Sequence, residues 1–308
     1  MKIDSVSFGL LVDRALQAGD VIHMRPVVEK ELLHYDILFC LDRAGLLDDL
    51  VFQGGTSLRL CYGGSRFSED LDFAGGAGFS AVNLAKMKDC IEGYIGARYG
   101  LDVRVKEPAL LKEDPRYADL KISKWQITIT TAPERKDVPR QRIKIVVANI
   151  PAYTKEPLPL IKNYDFLPDG YEDMLILTET MDEILADKLV SLSASRRYIR
   201  YRDLWDLPWL MQQGAKLNAG LVRQKVGDYK IVGFAELLQA RINSLSDIVN
   251  GKEFAEEMRR FLPGDVFSRT LATSKFKVYL TSTLTRLHKE LALFLSENSV
   301  TTEDEFKM

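Results

Sequence analysis

The chain has 308 residues, 46% hydrophobic and 28% charged, with a formal net charge of −2. Such a composition describes a folded globular protein with one large core or two modest ones, and excludes a disordered chain or a globally basic nucleic-acid binder. Cys40, Cys61 and Cys90 show no paired spacing, which points to a reducing compartment without a disulfide framework. No apolar run approaches the length of a membrane span, and the start MKIDSVSFGLL lacks a secretory pattern, so the expected location is the cytoplasm. His23, His34 and His288 lie far apart in sequence and are expected to be structural.

Helical periodicity covers residues 4–18 and 26–47. In the second stretch Val28, Leu32, Leu33, Ile37, Leu41 and Leu46 return to one side, between Pro26 near its start and Gly45 near its end. A short apolar run at Leu50–Phe52 then meets a Gly54-Gly55 turn, a helix-compatible segment Thr56–Tyr62 and a second turn Gly63-Gly64-Ser65. An extended run carrying Asp70 and Asp72 follows, then the turn Gly75-Gly76-Ala77-Gly78 and a helix from Ser80 to about Arg98. Strands are expected at Leu101–Lys106, Ile122–Thr131 and Arg142–Ile150, with loops at Pro108–Tyr117 and Pro133–Pro139. Pro151, Pro157 and Pro159 mark a link. Beyond Pro168 helices are expected near 179–195, 201–213, 218–228, 233–249, 253–262 and 265–296, before a polar tail at Asn298–Met308. The fold class is α+β: a mixed sheet with flanking helices in residues 1–165, then a mainly helical half in 166–308.

Asp70 and Asp72 alternate with apolar Leu71 and Phe73. In an extended strand both carboxylates point the same way, about 6.5–7 Å apart at Cα, and they repel unless a cation sits between them. Mg²⁺ suits such a pair, since it is held by one or two carboxylates together with substrate phosphates. Glycines at 54 and 55 let backbone N–H groups approach a phosphate, and Arg59 and Arg66 are candidate phosphate contacts. Gly75–Gly78 either lines the nucleotide site or is a plain connector. Lys188 lies within an apolar stripe of Ile184, Leu185, Leu189 and Leu192, so it either reaches solvent or meets a buried anion. Asp203 and Asp206 share one helix face, Trp205 and Trp209 fit a core, and Arg196, Arg197, Arg200 and Arg202 form a basic cluster that suits RNA phosphates or a solvated helix end.

The Gly-Gly turn, helix and Asp-hydrophobic-Asp strand resemble the first motif of polymerase-β-type nucleotidyltransferases, with the Gly55–Asp70 separation at the long end for that superfamily. The fuller string GGTSLRLCYGGSRFSEDLDF resembles the AbiEii/AbiGii toxin family, as does Lys188 followed by Arg202-Asp203-Leu204-Trp205-Asp206. The resemblance covers roughly residues 25–215. It implies a toxin of a bacterial toxin–antitoxin or abortive-infection system that moves NMP from an NTP to an acceptor, the 3′ end of tRNA being expected, with release of pyrophosphate. Asp70 and Asp72 would hold Mg²⁺ or Mn²⁺, and the turn Gly54, Gly55, Thr56, Ser57 would cradle the triphosphate. Lys188 would balance its charge, and Asp203 would hold that lysine or assist the attacking hydroxyl. Ser68 would touch the γ-phosphate or be modified by a regulator, unless it only supplies a hydrogen bond at the start of the strand. A cognate antitoxin protein is the implied partner. One departure is that Val146 stands where many relatives of the superfamily carry a third carboxylate. Rival expectations are an enzyme that nucleotidylates protein, and a catalytically silent NTP-binding module that works through a partner.

Overall fold

In the segment Gln141–Ala148, Ile143, Ile145 and Val147 are fully buried while Arg142 and Lys144, which alternate with them, stand in solvent. Period-two alternation of this kind sends one strand face into a core and leaves the other to water. The computed structural model describes residues 7–108, 122–135, 139–168 and 170–304, as backbone alone from 297 on. It contains a seven-stranded mixed sheet. The strands are β1 (Val51–Gln53), β2 (Leu71–Ala74), β3 (Asp102–Lys106), β4 (Ile122–Thr130), β5 (Gln141–Ala148), β6 (Lys155–Pro159) and β7 (Leu175–Glu179). Their spatial order is β3-β4-β5-β2-β1-β7-β6. β2 runs parallel to β5 and antiparallel to β1, which is itself parallel to β7, and the remaining pairs are antiparallel.

Helices cover the apolar face. α1 (Phe8–Gln17) buries Phe8, Val12, Ala15 and Leu16, the spacing of one helical stripe. α2 (Arg25–Arg43) is buried on nearly every side, so its polar residues are paired. Asp36, for instance, accepts hydrogen bonds from Tyr99 at 2.7 Å and Tyr171 at 2.6 Å. α3 (Gly54–Leu60) follows β1 directly. α4 (Met87–Tyr99) presents Met87, Ile91 and Ile95 inward and ends at Gly100, whose φ of +67° suits a residue without Cβ. The helix expected from Ser80 begins at Met87 instead. Ala81–Leu84 form a separate 3₁₀ turn, and Leu84 and Met87, both buried, lie one 3₁₀ repeat apart.

The chain forms two compact units: Met1–Glu179 with Phe261–Gly264, and Thr180–Arg260 with Asp265–Met308. An expected boundary near residue 165 falls inside the first unit, because β6 and β7 complete the sheet. The prolines of this stretch suggest a link, yet Pro157 and Pro159 lie on β6, an edge strand, where a missing N–H is tolerated. The second unit holds α5 (Met181–Ala194), α6 (Tyr201–Gln212), α7 (Ala219–Asp228), α8 (Phe234–Asn250), α9 (Lys252–Met258), α10 (Gly264–Arg269) and α11 (Ser274–Asp304), with Gly264 itself at the junction. The helix expected over 265–296 is two helices. Thr270 donates its hydroxyl back to the Val266 carbonyl and Thr273 accepts from the Phe276 N–H at 3.3 Å, so side chains satisfy both ends of the break. α11 then runs on to Asp304, into the stretch expected to be a polar tail. Residues 109–121 and 136–138, in the expected loops, lie outside the described residues. Among the described residues no helix is long and apolar enough to cross a membrane.

Two histidines are core residues, as expected. His34 faces the Glu69 carbonyl at 3.1 Å through Nε2, and His288 faces the Leu284 carbonyl at 2.8 Å through Nδ1. Burial pushes both pKa values down to about 4. A pKa lowered on folding means the unfolded chain binds more protons between that value and about 6.5. Unfolding free energy by urea titration should therefore rise from pH 4.5 to 6.5, by on the order of 3 kcal/mol per histidine across the full window, and then flatten. A rise that is unchanged in the His288→Leu variant would remove His288 from this account.

Candidate active site

β2 carries the two candidate carboxylates on the face turned away from the core. Leu71 and Phe73 are fully buried and Phe73 stacks on Phe52 at 5.1 Å, so burial of these side chains, about 2–3 kcal/mol each, fixes which way the alternate residues point. Asp70 immediately precedes the strand and Asp72 lies within it, and both are partly exposed. Asp70 Oδ1 accepts the backbone N–H of Lys144 at 3.0 Å, and the Lys144 ammonium lies 3.5 Å from Oδ2. Asp72 pairs with Gln53 on β1 and with Val146 on β5. The register thus puts Val146 beside Asp72, the place expected to lack a third carboxylate.

The glycine turn closes against these groups. Gln53 ends β1 extended, and Gly54 then takes φ = +83°, a conformation that favours glycine. A Cβ on Gly54 would sit 3.0 Å from Asp72 Oδ2; one on Gly55 would collide with Arg66 Nη2 and sit 3.0 Å from Ser68 Oγ. The structure therefore brings Gly54, Gly55, Arg66, Ser68 and Asp72 together. Thr56 and Ser57 are buried, and their hydroxyls brace the turn: Thr56 donates to the Asp70 carbonyl and Ser57 to the Gly54 carbonyl at 2.9 Å. What they can offer a ligand is backbone. Arg59 leaves the set of phosphate contacts. Its Nε and Nη2 meet buried Glu31 at 2.7 and 3.0 Å, and its guanidinium lies 4.4 Å from the Phe67 ring centroid. Gly75–Gly78 follow the other end of β2 and line a separate cavity of about 500 Å³ with Leu50, Val51 and Lys155. They are not part of the aspartate site. Gly54→Ala should cost about 1–3 kcal/mol from backbone strain at the left-handed φ, and it should reduce any activity carried by Asp72. Equal melting temperatures for variant and wild type would refute the strain.

Lys188, Asp203 and Asp206 belong to the second unit. The Lys188 ammonium lies 3.0 Å from Asp203 Oδ1 and 2.7 Å from Asp206 Oδ2, all three side chains being buried. Asp203 Oδ2 also meets Arg200 Nε at 2.5 Å. Burial pushes the Asp203 pKa up, but Lys188 and Arg200 outweigh it and hold the carboxyl well below the usual range. Of its two expected roles, holding the lysine is the one this geometry matches; a carboxylate shared by two cations is a poor proton acceptor. Asp206, on the same helix face, grips the lysine as closely. Trp205 is buried, as expected. Of the arginine cluster, Arg200 is tied to Asp203, while Arg196 and Arg197 are exposed.

Sequence reasoning missed Lys144 and Gln53. The signal for Lys144 was the alternation of Arg142, Lys144 and Val146, unusable without the β2–β5 register. Gln53 is paired with Asp72, and its buried Oε1 has no hydrogen-bond partner among the described residues. Two carboxylates on one face and an unmatched amide oxygen beside them form a hard-oxygen donor set that fits Mg²⁺ or Mn²⁺. Among the described residues no group of three or more His, Cys, Asp or Glu forms a cage from protein alone.

The family described as nucleotidyl transferase AbiEii toxin, type IV TA system, matches residues 36–282. Among solved structures, MenT4, a nucleotidyltransferase toxin of Mycobacterium tuberculosis, is 18% identical with a TM-score of 0.55, covering 93% of each chain. A Helicobacter pylori protein assigned to the nucleotidyltransferases is 19% identical with a TM-score of 0.49, covering 87% of this chain and 97% of that one. No curated protein matches the chain.

Proposed function

The chain belongs to the AbiEii nucleotidyltransferase toxin family of type IV toxin–antitoxin systems, and from that premise we propose that Asp70 and Asp72 hold a divalent metal ion for NMP transfer from NTP to the 3′ end of tRNA. The observation that carries this reading is the placement of both carboxylates on the open sheet face, with Asp72 packed against the Gly54 turn. When bound, Mg²⁺ would supply charge neutralisation for the triphosphate. Lys144 holds the Asp70 carboxylate in position through its backbone N–H. The close approach of Gly54 and Gly55 keeps Asp72, Arg66 and Ser68 packed around one turn. Val146 offers no proton acceptor beside Asp72, so catalysis rests on positioning and electrostatics, which carry most of phosphoryl transfer. The family also implies an antitoxin partner and NTP as substrate.

Incubation with each α-labelled NTP, Mg²⁺, total tRNA and cell protein tests the reading. Label on tRNA that disappears with EDTA is expected. Label on protein would replace the acceptor with a side chain, and NTP binding without transfer would leave a silent nucleotide-binding module.

A further inference from the structure

The open face of the sheet is charged in an ordered way on the strands beyond Asp70. On β5, Arg142 and Lys144 are exposed, as are Lys124 on β4 and Arg104 and Lys106 on β3. Pairing registers place all five on one face. Lys106 is opposite Gln126, which is opposite Lys144; Arg104 is opposite Thr128, which is opposite Arg142; and Lys124 is opposite Val146, the neighbour of Asp72. The result is two cross-strand rows, each with a cation at either end and an uncharged hydrogen-bonding side chain between. With strands about 4.8 Å apart, the cations of a row stand roughly 10 Å apart. The row that begins at Lys106 passes through Lys144 and ends on Asp70 itself. Among the described residues of this face, the acids against these five cations are Asp102, 3.5 Å from Arg104, and Asp70 and Asp72 on β2.

Resting on the reading of the site given above, we propose that this face of β3, β4 and β5 is the track along which the phosphodiester backbone of a nucleic-acid acceptor lies, with its terminal hydroxyl led to Asp70 and Asp72. Repeated cations joined by Gln126 and Thr128 complement a repeating polyanion. An acidic protein partner would need apolar anchors as well, and these rows contain none. The chain's overall charge of −2 makes the concentration of cations on one face informative, because the surface as a whole is not basic. Contacts of this type fix position and reach of the strand but do not read its bases.

The test uses the full chain and a short 5′-fluorescein single-stranded RNA, with binding followed by anisotropy over a range of KCl. The variant R104Q/K106Q/R142Q leaves Lys144 and both aspartates in place and changes only exposed side chains. Expected are a loss of affinity of roughly 10- to 100-fold and a log–log salt slope shallower by about 2, near 0.7 per lost phosphate contact. NTP affinity should be unchanged, and the KM for RNA in the transfer assay should rise while kcat holds. Unchanged RNA affinity and slope in a variant that melts like wild type would overturn the track, even if wild type labels RNA. RNA binding that depends on these residues in an enzyme that labels no RNA would uphold the track and reject the acceptor assignment instead. Wild type that binds no RNA overturns the track. Should the triple variant fold poorly, K106E alone must still weaken RNA binding, and an unaltered affinity there overturns the proposal.

Discussion

Asp72→Asn is expected to lower nucleotide transfer by about 10³-fold or more while leaving the fold intact. The substitution keeps the size of the side chain on β2 and its place beside Gly54, and it removes one of two charges proposed to hold the metal. The structural cost is small because Asp72 lies on the open face, whereas Leu71 and Phe73 fill the core. Removing one of two like charges from neighbouring positions also relieves repulsion, so the melting temperature should stay level or rise. Mg²⁺ should raise the melting temperature of wild type in the presence of NTP and do so far less for the variant. Activity within tenfold of wild type, or loss of activity that simply follows a collapse in stability, would remove the carboxylate pair from the centre of the mechanism. Asp70→Asn should behave alike in transfer, with an added loss of the Lys144 ion pair, worth little at a partly exposed site.

Lys188→Met should destabilise the second unit by about 3–5 kcal/mol, since it removes the one ammonium that two buried carboxylates share. Asp203 would keep Arg200, but Asp206 would lose its buried counter-ion at 2.7 Å. Lys188→Met combined with Asp206→Asn should recover much of that loss, because it removes a buried charge together with the counter-ion that matched it. The pH dependence has a defined sign. The folded pKa of Asp203 is depressed, so its stabilising contribution is complete above the unfolded value near 3.9 and disappears as pH falls through the folded value. The gap between wild type and Lys188→Met should therefore be widest near neutral pH and narrow below about pH 4. Urea titration at several pH values measures it. A Lys188→Met protein as stable as wild type but inactive would assign the lysine to substrate chemistry rather than to the core.

Much of this was legible because local chemistry and tertiary need agree along β2. Apolar residues alternate with aspartates there, and glycines stand where the backbone must take a positive φ or allow a side chain to pass. The strand pattern of β4 is similarly complete, with Trp125, Ile127 and Ile129 buried on one side. What sequence could not supply was register. Arg59 looks like a phosphate contact until α2 brings Glu31 against it, and Lys144 gains meaning only when β5 pairs with β2. β6 was hidden by its own composition, since two prolines argue against a strand unless it lies at an edge, and edge position is a property of the assembled sheet. The partners of Lys188 were half visible: Asp203 and Asp206 share a face by spacing alone, but their shared grip on the lysine needs the packing of α5 against α6.

Phe261–Gly264 belongs to the first unit, although the residues on either side of it belong to the second. The Phe261 carbonyl accepts the Phe67 N–H at 2.9 Å, and its fully buried ring joins the sheet's core, one residue along the chain from where Ser68 begins the run to Asp70. A nascent chain leaves the ribosome at roughly 5–20 residues per second, so this anchor emerges many seconds after the strands it secures. The first unit therefore lacks this anchor until most of the polypeptide has been made, and a truncated translation product that stops after β7 would be without the Phe261 contacts to its core.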